Sequence, residues 1–268
     1  MESDRVGSVK LLFLGDIVGE PGRRAIRLLL EDFVQREEVD FVVANGENSA
    51  GGNGITAGIA GELFGYGVDV ITTGDHVWDQ KETASFLTTE SRVLRPANYP
   101  PGVPGSGAIV WNKPGLPPVA VLNLQARTFM PPLENPFLLA QSEVARLRTA
   151  TRIILVDFHG EATSEKIALG RMLDGSVSAV IGTHTHVQTA DEQVFPRGTA
   201  YLTDAGFTGP HDSVLGRTVE PVLRRFLTGL PQRFEVAQDR ILMQGALVDI
   251  DPVSGSARSI TRVSEALD

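Results

Sequence analysis

Five histidines stand in this chain of 268 residues, and four of them close apolar runs. His76 ends VDVITTGDH, His159 ends RIILVDFH, and His184 and His186 end AVIGTHTH. Carboxylates and one amide take the same kind of place: Asp16 after LLFLG, Glu47 and Asn48 after VVANG, and Asp75 just before His76. Imidazole with carboxylate is the donor set of a transition-metal centre, suited to Mn, Fe, Zn or Co rather than to Ca or Mg alone. Two such ions held about 3.5–4 Å apart need a bridging carboxylate and can hydrolyse phosphate esters. Asp16 and Glu47 are the candidates for the bridge. Side chains at i and i+2 of an extended segment share a side, so His184 and His186 are expected to face one crevice. Glycine precedes the polar group at Gly15, Gly46, Gly74 and Gly182. There it is expected to permit a sharp exit from the strand and to leave room for metal or phosphate. The fifth histidine, His211, lies outside this pattern.

These groups need a frame that gathers strand ends, and a parallel α/β sheet does this at its C-terminal edge. Residues 9–15, 40–46 and 68–75 read as buried strands. Helices are expected from Pro21 through AIRLLLEDFV, at 56–65 and at 79–88. That order implies parallel strands with right-handed crossovers. Strands at 106–112 and 118–124 flank the turn KPGLP, and helix 137–149, strand 152–160, helix 164–174 and strand 177–186 follow. After residue 190 only short β-like pieces are evident: QVF, TAYLTD, RFEVA, RILMQGALVDID and ARSITRV. The expected architecture is one domain, 1–268, an α/β sandwich of two or three layers with mixed β-sheets flanked by helices. The stretch 91–150 is the candidate for a small inserted subdomain.

Composition narrows the function. Hydrophobic residues are 42% and charged residues 21%, ordinary for a globular protein. Cysteine is absent, which excludes thiolate metal sites and cysteine nucleophiles. A net charge of −9 argues against long nucleic acid as a partner, since that needs a basic surface. It is compatible with a small phosphate ester, because bound metal supplies positive charge locally. The polar start MESDRVGSVK and the lack of any apolar run of about 18 residues predict a cytoplasmic protein without a membrane span. A homo-oligomer is expected. The glycine-rich GGNG at 51–54 lacks the Lys-Ser/Thr of a P-loop and does not argue for nucleoside triphosphate binding.

The motifs LFLGDIVGEPGR, NGENSAGGNGIT, TTGDHVWD, RPANYP, LQARTFMPPLENPF, DFHGEATSEKIALG, GTHTHVQTAD and TDAGFTGPHDSVLG resemble the YmdB-like family over about residues 9–263. The resemblance implies a calcineurin-like metallophosphoesterase fold and hydrolysis of 2′,3′-cyclic nucleotides such as 2′,3′-cyclic AMP to 3′-nucleotides. It further implies two metal ions, Fe or Mn. Asp16 and His186, helped by Asn48, would bind one; Asp75, His159 and His184 would bind the other; and Glu47 would bridge both. His76 would be the general acid. The wider superfamily carries Asp-x-His at the first strand; here the segment is Asp16-Ile17-Val18, and Asn48 fills the place of the missing histidine. The family pattern Gly-Asn-His at the third strand is Gly74-Asp75-His76 in this chain. Arg95, Asn98, Arg127, Thr163 and Lys166 lie in or near these motifs as candidates to touch phosphate or ribose. For most of them the favoured reading is structural, with Thr163 capping a helix. Two other functions stand beside the main one: a phosphatase or phosphodiesterase of broader specificity, and a regulatory protein in which metal binding outweighs catalysis.

Overall fold

The structure, a computed structural model, describes residues 7–267. Strand β1 (Val9–Leu14) shows how the layers are specified. Leu11 and Phe13 enter one apolar cluster, and Leu12 and Leu14 enter another, the alternation that a strand's period of two imposes. In β7 (Ile153–His159), Ile153 and Leu155 join the first cluster while Ile154, Val156 and Phe158 enter a third.

Two mixed sheets result. The first has the order β2 (Asp16–Ile17), β11 (Phe207–Pro210), β12 (Ile241–Ile250), β1, β3 (Phe41–Asn45) and β4 (Val70–Thr72), with β13 (Ala257–Ala266) paired to β12. As expected, β1, β3 and β4 are parallel; β12 runs antiparallel to β1. The second sheet has the order β5 (Ala108–Trp111), β6 (Val119–Gln125), β7, β8 (Ala179–Thr183), β10 (Ala200–Leu202) and β9 (Gln193–Val194). Its four central strands are parallel and its two edge strands antiparallel.

The shared cluster fills the space between the sheets. Helices α1 (Gly19–Glu37) and α2 (Ala57–Gly65) pack on the outer side of the first sheet through Ile26, Leu30, Phe33 and Leu63. Helices α4 (Pro136–Leu147) and α5 (Thr163–Leu173) pack on the second through Ala140, Val144, Leu169 and Leu173. The sandwich therefore has four layers, not two or three. Both sheets are apolar on both faces, so each needs a helical cover as well as its partner sheet. Residues 91–150 supply β5, β6 and α4, and β6 hydrogen-bonds along its length to β7. No helix among the described residues is long and apolar enough to cross a membrane.

Three local expectations are corrected. The helix at 79–88 shrinks to α3 (Thr83–Phe86). Gln80 Nε2 donates to Asn53 O at 2.7 Å and the buried Thr83 hydroxyl to Ile55 O at 3.0 Å, which ties this segment to a neighbouring loop instead of letting a helix run. RFEVA is no strand: Val236 makes a single bridge to Arg217. Ahead of it stands α6 (Val219–Thr228), which sequence reading missed although Val219, Val222, Leu223, Phe226 and Leu227 follow the spacing of an amphipathic helix; of these only Val222 is buried.

Candidate metal centre

The C-terminal ends of β1, β3 and β4 in one sheet and of β7 and β8 in the other meet at a single place. Glu47, Asp75, His159 and His184 each offer a ligand atom there, all within 4.8 Å of one another. His159 Nε2 lies 3.0 Å from Asp75 Oδ1 and 3.2 Å from Glu47 Oε1. His184 Nδ1 lies 3.1 Å from His159 Nε2 and 3.4 Å from Asp75 Oδ1. Ligands about 2.1 Å from a common ion stand roughly 3.0–3.4 Å from each other, so this spacing suits a metal.

Beside this group lie the other three predicted residues. His186 Nε2 is 3.2 Å from Asn48 Oδ1 and 3.8 Å from Asp16 Oδ1. Asp16 Oδ1 is buried without a hydrogen-bond partner and stands 4.0 Å from His159 Nδ1. Its other oxygen accepts from the backbone N–H of His184 at 3.1 Å. The seven predicted ligands are thus brought together as two adjoining groups.

Proton placement on the histidines strengthens the case. The Thr183 hydroxyl donates to Asp157 at 2.6 Å, so toward His159 Nδ1, at 2.9 Å, it must accept. His159 therefore carries a proton on Nδ1, which leaves Nε2, facing Glu47 and Asp75, as the nitrogen that a cation would engage in place of a proton. His186 Nδ1 faces Leu215 O at 3.2 Å, which leaves its Nε2 lone pair toward Asn48 and Asp16. His184 Nε2 faces Glu161 Oε2 at 3.4 Å, which leaves Nδ1 toward the centre. Ring nitrogens of the three histidines thus face carboxylate and amide oxygens, an arrangement that suits a cation. Gly74 keeps the space open: a Cβ there would strike His159 and Glu47.

Titration behaviour follows the same crowding. Burial alone would lower the pKa of His159, but Glu47, Asp75 and Asp16 raise it well above the ordinary histidine value. Burial alone would raise the pKa of Asp75, but hydrogen bonds and charge from His159 and His184 hold it well below the usual carboxylate range. Both shifts mark a place where negative charge calls for a positive partner.

His76 borders the centre without belonging to the ligand group. Its backbone N–H donates to Glu47 Oε2 at 3.3 Å, and its Nδ1 meets Asp79 Oδ2 at 2.9 Å. Burial pushes its pKa down, but Glu47, Asp75 and Asp79 outweigh burial and raise it, favouring the protonated ring that an acid requires.

Two sequence arguments need revision. His184 and His186 are not on an extended strand: β8 stops at Thr183, and both residues have left-handed backbones with φ of 96° and 59°. A buried clamp holds this bend. Lys166 Nζ donates to Thr183 O at 2.8 Å and Asp204 Oδ2 at 2.7 Å, and Asp204 Oδ2 also accepts from Thr185 N and Oγ1. Of the four glycines, only Gly74 opens room within the centre. Gly15 and Gly182 are required because backbone oxygens of Gly206 and Thr203 press on them, and Gly46 abuts Ile71.

The other candidates are structural. Arg95 spends its guanidinium on the carbonyls of Pro104, Pro96 and Val103. Asn98 joins Gln125 to Glu134, Lys166 is in the clamp, and Arg127 is exposed beside Glu165. Thr163 opens α5 as its first residue, and its cap position belongs to Ala162. Sequence reading missed Asp79, Glu161, Asp157, Thr183 and Asp204, polar residues whose partners are far away in the chain. His211 also has a place: it stacks on Phe207 at 4.1 Å, and Phe207 stacks on His186 at 5.2 Å.

Fold and site together are those of a hydrolase of the metallophosphoesterase type. The chain belongs to the YmdB-like protein family, whose model matches residues 12–263. It is 46% identical over 255 residues, 95% of this chain and 96% of the relative, to the 2′,3′-cyclic-nucleotide 2′-phosphodiesterase of Bacillus subtilis. Among solved structures it matches a hypothetical protein from Thermus thermophilus at TM-score 0.90 and 40% identity, covering 97% of this chain and 100% of that one. It matches a novel phosphatase from Mycoplasma pneumoniae at TM-score 0.90 and 31% identity, covering 97% and 94%.

Proposed function

We propose that the protein hydrolyses 2′,3′-cyclic nucleotides to 3′-nucleotides at a dinuclear metal centre. The observation that carries this is the convergence of ring nitrogens of His159, His184 and His186 with the oxygens of Asp16, Glu47, Asn48 and Asp75 in a member of this family. Asp16, Asn48 and His186 would hold one ion, Asp75, His159 and His184 the other, and Glu47 would bridge them. Fe or Mn suits this nitrogen and oxygen set. Two such ions supply Lewis acidity toward phosphate oxygens and an activated water at neutral pH.

The chain's own residues contribute the rest. His76, held by Asp79, delivers a proton to the departing 2′ oxygen, a step worth about 10²–10⁴-fold. Thr183 and Asp157 keep His159 in its ligand tautomer, and Asp204 with Lys166 keeps the His184–His186 bend in place. Because both sheets supply site residues, the chain reads as one catalytic domain, 1–268, rather than a core with a separate unit at 91–150.

A substrate panel with metal-loaded protein tests this reading. Turnover of 2′,3′-cyclic AMP to 3′-AMP should exceed that of a simple phosphomonoester, with metal analysis giving about two ions per chain. Comparable rates on monoesters would favour the broader phosphatase instead, and absence of turnover would favour the regulatory role.

A further inference from the structure

A cleft of about 440 Å³ opens directly on the centre, sharing Glu47, Asn48, His76, His184 and His186 with it. It is also lined by Val214, Leu215, Val222, Phe226 and Phe234, with Arg217 and Arg225 among them, and Arg225 lies over the Phe234 ring at 5.4 Å. The volume lies in the range of small-ligand sites, about 300–1,000 Å³. Phe226 is 82% exposed and Leu215 48%, so a wall of apolar surface faces solvent beside a strongly polar floor. Leu215 is built into both parts. It has a left-handed backbone at φ 52°, its carbonyl receives His186 Nδ1, and its side chain lines the cleft. Arg217 locks the rim by donating to Gly52 O at 2.6 Å.

We infer that this wall is the subsite for the nucleobase, with Phe226 as its principal stacking residue. The assignment rests on the cyclic-nucleotide reading above and names what that substrate places outside the metals. A cyclic phosphate seated on the polar floor must send its base toward the adjoining space, and the wall offers flat and apolar groups there. Such a surface reads a base by its face, so purines and pyrimidines are both accepted, while a substrate without a base loses the contact.

The test compares 2′,3′-cyclic AMP, 2′,3′-cyclic UMP and ribose 2′,3′-cyclic phosphate on metal-loaded wild type and Phe226→Ala. Wild type should favour the nucleotides over the base-free compound by roughly 5- to 100-fold in kcat/KM. Phe226→Ala should shrink that ratio severalfold through KM. Equal use of nucleotide and base-free substrate by wild type, or a ratio unchanged by the substitution, overturns the subsite. A change in oligomeric state by light scattering with an unchanged ratio would assign the wall to contact between copies and overturn it as well. If no cyclic phosphate is turned over, the phosphodiesterase reading fails, and calorimetry with adenosine 3′-monophosphate still decides the subsite. Weaker binding by Phe226→Ala supports it, and equal binding removes it.

Discussion

The Thr183 hydroxyl stands between His159 and Asp157, 2.9 Å from the imidazole Nδ1 and 2.6 Å from the carboxylate. Asp157 is wholly buried, and burial pushes its pKa up to about 6 against the lowering effect of His159 and of the Thr183 and Thr72 hydroxyls. Its second oxygen also accepts from Asn45 at 3.0 Å, so this carboxylate links β3 and β4 of one sheet to β7 and β8 of the other, beneath the metal centre.

Thr183→Val removes that link with little change of shape. Losing the partner behind a metal-binding histidine typically costs 10–100-fold in affinity or activity. Titration with Mn²⁺ should show a loss of about tenfold or more, and the thermal midpoint should fall by several degrees because buried Asp157 loses a donor at a cost of about 1–3 kcal/mol. Unchanged affinity would mean that His159 needs no partner at Nδ1.

His76→Ala should cut turnover of 2′,3′-cyclic AMP by about 10²–10⁴-fold. Metal content by elemental analysis should stay at the wild-type level, because His76 lies outside the ligand group. A regulatory function independent of catalysis would survive this substitution in cells.

Asp75 adds a carboxylate where the family pattern has an amide. With the neutral amide restored by Asp75→Asn, metal affinity should fall by about tenfold, a change of about 1.4 kcal/mol. Turnover per metal-saturated site should rise, since the centre keeps more positive charge for the phosphate. No change in either quantity would show that the added charge of Asp75 does not tune the centre.

Lys166→Met leaves Asp204 buried without its cation, a change that usually costs about 3–5 kcal/mol. The thermal midpoint should drop by about 10 °C in a chain of this size. Lys166→Met with Asp204→Leu should recover part of the stability but not the activity, because Thr185 would lose its anchor and the histidine bend its hold.

Chelation should destabilise the protein reversibly. A ligand at 100 times its dissociation constant stabilises the folded state by about 2.7 kcal/mol. EDTA should therefore lower the thermal midpoint by several degrees, and Mn²⁺ should restore it. A midpoint indifferent to both would argue against metal in the folded protein.

Much of this architecture is legible in local patterns. Apolar runs such as VKLLFL and IILVDFH specify buried strands wherever they fall. The polar residue that closes each run can only sit at a strand end, so the eight candidate residues were visible before any tertiary structure. α6 is legible in the helical spacing of Val219, Val222, Leu223, Phe226 and Leu227, but no spacing shows that Leu223, Phe226 and Leu227 stay exposed.

The sequence by itself determined the donor types and their placement at strand ends, because side-chain chemistry and strand periodicity are local properties. Only the tertiary structure decided how the donors meet. Two sheets buried on both faces bring Glu47 and Asp75 against His159 and His184 across the sandwich, a distance set by core packing. The bend at His184 and His186 depends on Asp204 and Lys166, and the tautomer of His159 on Thr183 and Asp157. Those partners act through space, so no spacing along the chain announces them. The aromatic wall beside the centre is of the same kind: Phe226 became a candidate contact only when α6 was placed over the cleft.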